Sequence, residues 1–209
     1  MVAVSSTYPC GVEKKHSSKA IRNSIKLGWN WLLYSPSNMK VAKAVAEFLR
    51  DQGIKHVFCI SGGASLHLIH GIAETEGIDY VCPQTETACG FAADSYARLR
   101  GLGCALATSG PGATNLVTAI AASYYDSIPV LYLTGNVTTG RMSRGRVRQL
   151  GFQETPIVEM VRPITKWAMT IEEPQAVINA IYSCIVKMKE GRPGPGLVDI
   201  PDDVQRANI

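Results

Sequence analysis

From Val41 onward the chain alternates two hydrophobic rhythms. Val41, Ala44, Val45, Phe48 and Leu49 recur at the spacing of an amphipathic helix, which Gly53 stops. Residues 55–60 then form a short apolar run that reads as a strand, and Ser61-Gly62-Gly63 turns it into a second helix marked by Leu66, Ile69, His70 and Ala73. The alternation continues with a strand over 78–82, a helix over 85–99, a strand over 104–108, a helix over 112–124 and a strand over 129–134. A Gly/Arg-rich loop follows, then a helix from about 174 to 189 and a last strand over 196–200. Short apolar strands, each separated from the next by a helix, predict an α/β fold: a mostly parallel sheet of about six strands with helices on both faces.

In such sheets ligands sit beyond the carboxyl ends of the strands, in the turns that lead into helices. That rule selects Ser61-Gly62-Gly63, the stretch around Glu86, and Ser109-Gly110-Pro111-Gly112, and places all three on one rim. The longest apolar stretch, 116–133, carries Asp126 and is broken by Pro129, so it reads as a helix and a strand and not as a membrane span.

Composition narrows the field further. At 209 residues, with 46% hydrophobic and 18% charged residues, the chain has enough apolar material for one folded domain plus an arm. The net charge of +4 belongs to the arm: residues 1–37 hold Lys14, Lys15, Lys19, Arg22 and Lys26 against Glu13 alone. From Asn38 onward 16 basic residues balance 16 acidic ones, which argues against a nucleic-acid partner. The arm reads as an ill-defined extension ahead of a domain over 38–209, with Met39 as an alternative start; its acid-poor, Ser-containing character also fits an organellar transit peptide. The six cysteines (Cys10, Cys59, Cys82, Cys89, Cys104 and Cys184) form no C-x-x-C pair and sit mostly in apolar segments, as expected of reduced thiols in a cytoplasmic protein.

Three features could carry chemistry. Glu86 opens a helix whose following turns are small and apolar; it is either a cap favoured by the helix dipole or a partly desolvated carboxyl that shares a proton with a ring nitrogen. Thr108-Ser109-Gly110-Pro111-Gly112-Ala113-Thr114-Asn115 passes from strand to helix without a bulky side chain, as a tight turn or as a place for close approach by a flat ligand or a neighbouring subunit. Ser61-Gly62-Gly63 carries less information, and without a G-x-G-x-x-G pattern it does not mark a nicotinamide dinucleotide site.

Taken in order, seven segments of the run from about Met39 to Val204 resemble the N-terminal, pyrimidine-binding domain of thiamine diphosphate enzymes of the acetohydroxyacid (acetolactate) synthase type. They are Val57-Phe58-Cys59-Ile60-Ser61-Gly62-Gly63, Thr85-Glu86-Thr87-Ala88, Ala93-Asp94-Ser95-Tyr96-Ala97-Arg98 and the Thr108–Asn115 run above. Tyr125-Asp126-Ser127-Ile128-Pro129, Gly151-Phe152-Gln153-Glu154 and Gly191-Arg192-Pro193-Gly194-Pro195 complete the set.

The resemblance implies a role for each matching residue. Glu86 matches the glutamate that hydrogen-bonds N1′ of the cofactor's aminopyrimidine, promoting the imino tautomer that generates the ylid. Gly62 and Gly63 match the turn beside the active site, and Pro111 and Asn115 the loop lining the cofactor. Phe152 and Gln153 match residues on the substrate side, Gln153 as a catalytic candidate, and Arg192 an arginine that contacts FAD in flavin-containing members. The implied activity is that of a carboligase or decarboxylase acting on a 2-oxo acid such as pyruvate, within a homo- or hetero-oligomer.

Departures from the family pattern bear on that expectation. Thr85 stands where the family often has His, and Gln84 replaces a more usual apolar or basic neighbour. The loop from Thr138 to Gln149 carries Arg141, Arg144, Arg146 and Arg148, read either as a solvated loop or as a clamp for an anionic acceptor. The Gly-Asp-Gly motif and downstream Asn that hold the diphosphate and Mg²⁺ in the family are absent, and no metal site is read in this chain. Mg²⁺ and the diphosphate contacts are therefore expected from a separate domain or subunit, with this chain inactive by itself. The alternative is a non-catalytic dimerisation or regulatory module that keeps the fold.

Overall fold

A computed structural model describes residues 38–209; the extension read over 1–37 lies outside the described residues. Helix α1 (Val41–Asp51) buries Val41, Ala44, Val45, Phe48 and Leu49 on one face and leads to strand β1 (His56–Cys59). A 3-10 turn (Gly63–Ser65) opens α2 (Leu66–Ala73), and β2 (Asp79–Val81) and α3 (Glu86–Arg100) follow. Next come β3 (Gly103–Ala107), α4 (Pro111–Asn115), α5 (Val117–Asp126) and β4 (Val130–Asn136). The chain closes with α6 (Ile157–Val161), β5 (Trp167–Thr170), α7 (Val177–Lys189), β6 (Gly196–Pro201) and α8 (Asp202–Arg206).

All six strands are parallel, in the order β2-β1-β3-β4-β6-β5. The central strands β3, β4 and β6 are buried at every position, while the edge strand β2 is exposed throughout and β5 half-buried. A parallel sheet must be covered on both faces to bury such strands, and it is: α1, α2, α7 and α8 pack together on one side, and α3 and α5 on the other. The α3 side is filled by Leu116, Ile120 and Tyr132 together with Ala93, Ala97, Ala105 and Ala107, whose small side chains let the helices approach the strands.

The α/β class, the parallel sheet and the strand number agree with the sequence reading; several elements differ. β5 has no counterpart among the runs read from sequence, because its residues are only half-buried at the sheet edge and lack a continuous apolar run. The single helix expected over 112–124 is two helices: α4 ends at Asn115 and α5 starts at Val117, with Leu116 between them. The short helices α6 and α8 escaped periodicity altogether, since five residues are too few to show it. Among the described residues no helix is long and apolar enough to cross a membrane.

Two buried carboxylates tie elements together. Asp199 of β6 accepts hydrogen bonds from Thr134 Oγ1 and Asn136 Nδ2 of β4, both at 2.7 Å, and from Thr170 Oγ1 of β5 at 2.9 Å. Asp94 of α3 accepts from Arg98 Nε and from Ser123 Oγ of α5, each at 2.7 Å, and the Ser123 hydroxyl also meets Tyr132 OH at 3.0 Å.

Candidate functional site

Strand β1 is flanked by β2 on one side and β3 on the other, so the chain reverses its direction of travel across the sheet there. The turns after β1, β2 and β3 consequently meet at one rim. The three turns selected from sequence lie at this place.

The turns after β1 and β3 are locked to each other. Ala64 N donates to Thr108 Oγ1 at 3.1 Å, and a Cβ on Gly62 would lie 2.4 Å from Thr108 Cβ. Gly62 is extended (φ −165°), so space and not backbone conformation requires glycine there. At Gly63 a Cβ would meet nothing within 4 Å, and this part of the turn faces open space. Gly110 has φ +62° and ψ −127°, a conformation for which a side chain is strained, and a Cβ there would lie 2.7 Å from the Gln153 carbonyl oxygen. The Gly-Pro-Gly turn is therefore shaped for close approach by the 138–156 loop on one side, and Pro111 begins α4 beyond it.

Glu86 is the first residue of α3, whose amino end is capped by Thr85 Oγ1 accepting from Ala88 N at 3.1 Å. With Thr85 filling the cap, the Glu86 side chain is left for other partners. It is half-buried and its Oε2 accepts from Asn115 Nδ2 at 3.0 Å, while Thr87 Oγ1 donates to the Asn115 carbonyl at 2.6 Å. Oε1 lies 3.3 Å from the place a Cβ would take on Gly112, a place the Thr108 methyl also approaches at 2.7 Å. One carboxylate oxygen is thus anchored by Asn115, and the other lies beside Gly112 and Thr108, with no hydrogen-bond partner among the described residues.

Of the residues singled out from sequence, Gly62, Gly63, Glu86, Pro111, Asn115 and Gln153 come to this rim. Gln153 adopts φ +58° and is exposed; its backbone, not its amide, makes the contact with Gly110. Phe152 beside it is 84% exposed. Arg192 is elsewhere. It precedes β6 and donates from Nε to Ser127 Oγ at 2.6 Å and from its other nitrogen to the Tyr125 carbonyl at 3.2 Å, at the amino-end rim opposite Glu86.

Two residues with evident local roles were quoted in the motifs without a role of their own. Thr108 holds the β1 and β3 turns together. Glu154 organises the 138–156 loop, accepting from Ser143 N and Oγ at 2.6 Å each, Leu150 N at 3.0 Å and Gly151 N at 3.1 Å. Burial pushes its carboxyl up, but these hydrogen bonds outweigh it and lower the pKa to about 2. Its position directly after Gln153 in a Gly-rich segment was the available signal. In the basic loop, Arg144 pairs with Glu172 and the four arginines do not converge on one described partner.

Among the described residues no group of three or more His, Cys, Asp or Glu is arranged to hold a metal ion.

Residues 39–160 match the family described as "Thiamine pyrophosphate enzyme, N-terminal TPP binding domain". The chain is similar to the chloroplastic acetolactate synthase of Arabidopsis thaliana, 40% identical over 80% of this chain and 24% of that protein. The acetolactate synthase large subunit of Haemophilus influenzae is 35% identical over 80% of this chain and 29% of its own length, and isozyme 3 large subunit of Escherichia coli 38% identical over 78% and 28%. The chain thus spans about a quarter of the length of these relatives. With that match over more than half its residues, and with the Glu86 and Gly-Pro-Gly turns gathered on one rim, the chain belongs to the thiamine pyrophosphate enzymes, as an N-terminal TPP-binding domain.

Proposed function

We propose that this chain is the pyrimidine-binding part of a thiamine diphosphate-dependent carboligase or decarboxylase acting on a 2-oxo acid such as pyruvate. The observation that carries the reading is Glu86: a half-buried carboxylate at a sheet switch point, anchored through Oε2 by Asn115, with Oε1 beside Gly112 in the Gly-Pro-Gly turn. When bound, thiamine diphosphate would supply a carbanion-type nucleophile and an electron sink for decarboxylation. The chain's own residues orient and polarise it. Glu86 holds a proton at the pyrimidine ring nitrogen, and Asn115 fixes the carboxylate in place. Gly63 leaves room for the ring, Gly62 and Pro111 shape the turns beside it, and Gln153 borders the same rim from the 138–156 loop.

The remaining contacts belong to a second domain or subunit. It would provide the Mg²⁺ ligands and the diphosphate cradle, in an oligomer that closes over this rim. A flavin contact at Arg192 would be a separate site, because that side chain lies on the opposite rim.

The test is complementation. The full chain is combined with the separately expressed remainder of an acetolactate synthase large subunit, with thiamine diphosphate and Mg²⁺, and acetolactate formation from pyruvate is followed. Glu86→Gln is expected to lower the rate by about 100-fold or more, the usual range for a lost proton-transfer group, while leaving assembly of the two parts intact. Equal rates for both forms would overturn the proposal and favour a non-catalytic module.

A further inference from the structure

Three cysteines converge beneath the start of α3. Cys59 is the last residue of β1 and fully buried, Cys82 follows β2 and is exposed, and Cys89 lies in the first turns of α3 and is buried. The β1–β2 ladder pairs His56 with Asp79, Val57 with Tyr80 and Phe58 with Val81, and Cys59 and Cys82 directly follow the last of these pairs. Opposed residues of parallel neighbours point to the same face, and adjacent strands lie about 4.8 Å apart. That spacing falls inside the roughly 4.4–6.8 Å between Cα atoms that a disulfide spans. Both Cys82 and Cys89 raise the pKa of the Cys59 thiol, as neighbouring thiols do. β2 ends at Val81, so Cys82 is released from the ladder just before Pro83.

We propose that Cys82 and Cys59 form an oxidisable pair, a covalent modification site that closes to an intrachain disulfide under peroxide. The exposed Cys82 sulfur attacks hydrogen peroxide; the O–O bond breaks, one oxygen stays on sulfur as a sulfenic acid and the other leaves as water. The Cys59 thiol then passes its proton to the sulfenic hydroxyl as its sulfur attacks the sulfenyl sulfur; the S–S bond forms, the S–O bond breaks and the hydroxyl leaves as a second water. Two thiols are oxidised by two electrons and one peroxide is reduced to two waters. Burial, with the nearby Cys82 and Cys89, pushes the Cys59 thiol up to about 12, which keeps it protonated and leaves Cys82 as the first point of attack. The bond would pin the end of β1 to the segment four residues ahead of Glu86. The assignment is independent of what the Glu86 rim binds.

The experiment uses the full reduced chain exposed to hydrogen peroxide, quenched, alkylated and cleaved after glutamate. Cuts at Glu74, Glu76 and Glu86 place Cys59, Cys82 and Cys89 on different peptides. The expected result is a Cys59-to-Cys82 linked pair of peptides lacking two hydrogens, the loss of two titratable thiols, and recovery of both with dithiothreitol. Cys82→Ser, a surface change, should abolish the link and leave Cys59 alkylated. Cys59→Ala should convert Cys82 to forms carrying two or three added oxygens. Over-oxidised Cys82 with free Cys59 in the unmodified sequence, a link from Cys82 to Cys89, or no reaction at Cys82 would each overturn the proposal.

Discussion

Replacing Asp199 by alanine probes the network that joins β4, β5 and β6. The carboxylate is 1% exposed and accepts from three side chains at 2.7, 2.7 and 2.9 Å. Hydrogen bonds to a charged group are worth about 1.5–3 kcal/mol each, and truncating one member of a buried network costs about 3–5 kcal/mol. Two considerations lower that figure here. The hydroxyls of Thr134 and Thr170 can rotate to other acceptors, and removing a carboxylate also removes its desolvation cost. Asn136 cannot adapt in the same way, because its Oδ1 already accepts from Val137 N at 2.8 Å, so its amide group is left buried without a partner. The expected net loss is about 2–3 kcal/mol, read by urea unfolding as a midpoint lower by roughly 1–2 M at a slope typical of small domains. A loss below about 0.5 kcal/mol would refute the reasoning and assign the cohesion of this half of the sheet to apolar packing. The pH dependence supplies a second check. Burial raises the Asp199 pKa from its ordinary 3.8, against the opposing hydrogen bonds of Thr134, Asn136 and Thr170. Between the ordinary and the raised value the folded chain holds a proton that the unfolded chain has released, so stability falls as pH rises through that window. Asp199→Asn should remove this slope; an unchanged slope would mean that Asp199 is not its source.

Two further outcomes follow from the loops of the rim. Gly110→Ala combines a positive φ with a Cβ 2.7 Å from the Gln153 carbonyl oxygen, and should cost about 2–3 kcal/mol, lowering the melting temperature by roughly 5–10 °C; calorimetry showing no shift would mean that the turn and the 138–156 loop separate freely. Glu154, with its pKa lowered to about 2 from 4.5, contributes stability above the ordinary carboxylate range that is lost as pH falls toward 2. Glu154→Gln should therefore raise proteolytic nicking of the 138–156 loop at neutral pH and flatten the acid limb of a stability profile; equal nicking of both forms would exclude the clamp.

Periodicity and segment length were enough to specify the class of this fold, the parallel direction of its strands and the rim on which ligand-facing turns gather. Those properties follow from local rules: a strand followed by a helix must cross over, and its carboxyl-end turn then faces the same side as its neighbours. The order of strands, the edge strand β5 and the break at Leu116 were not legible, because each depends on which surfaces finally bury one another. The same distinction runs through the site. Glu86 stood out by its place at a helix start, whereas its anchoring by Asn115 joins residues 29 positions apart. Gln153 and Arg192 were both marked by motif, yet tertiary contact brings one to the Gly110 turn and leaves the other at the opposite rim, bonded to Ser127. The Cys59–Cys82 juxtaposition and the Asp199 network likewise exist only through strand register. Local sequence decides which segments become strands, helices and turns; packing across the sheet decides which of their side chains meet.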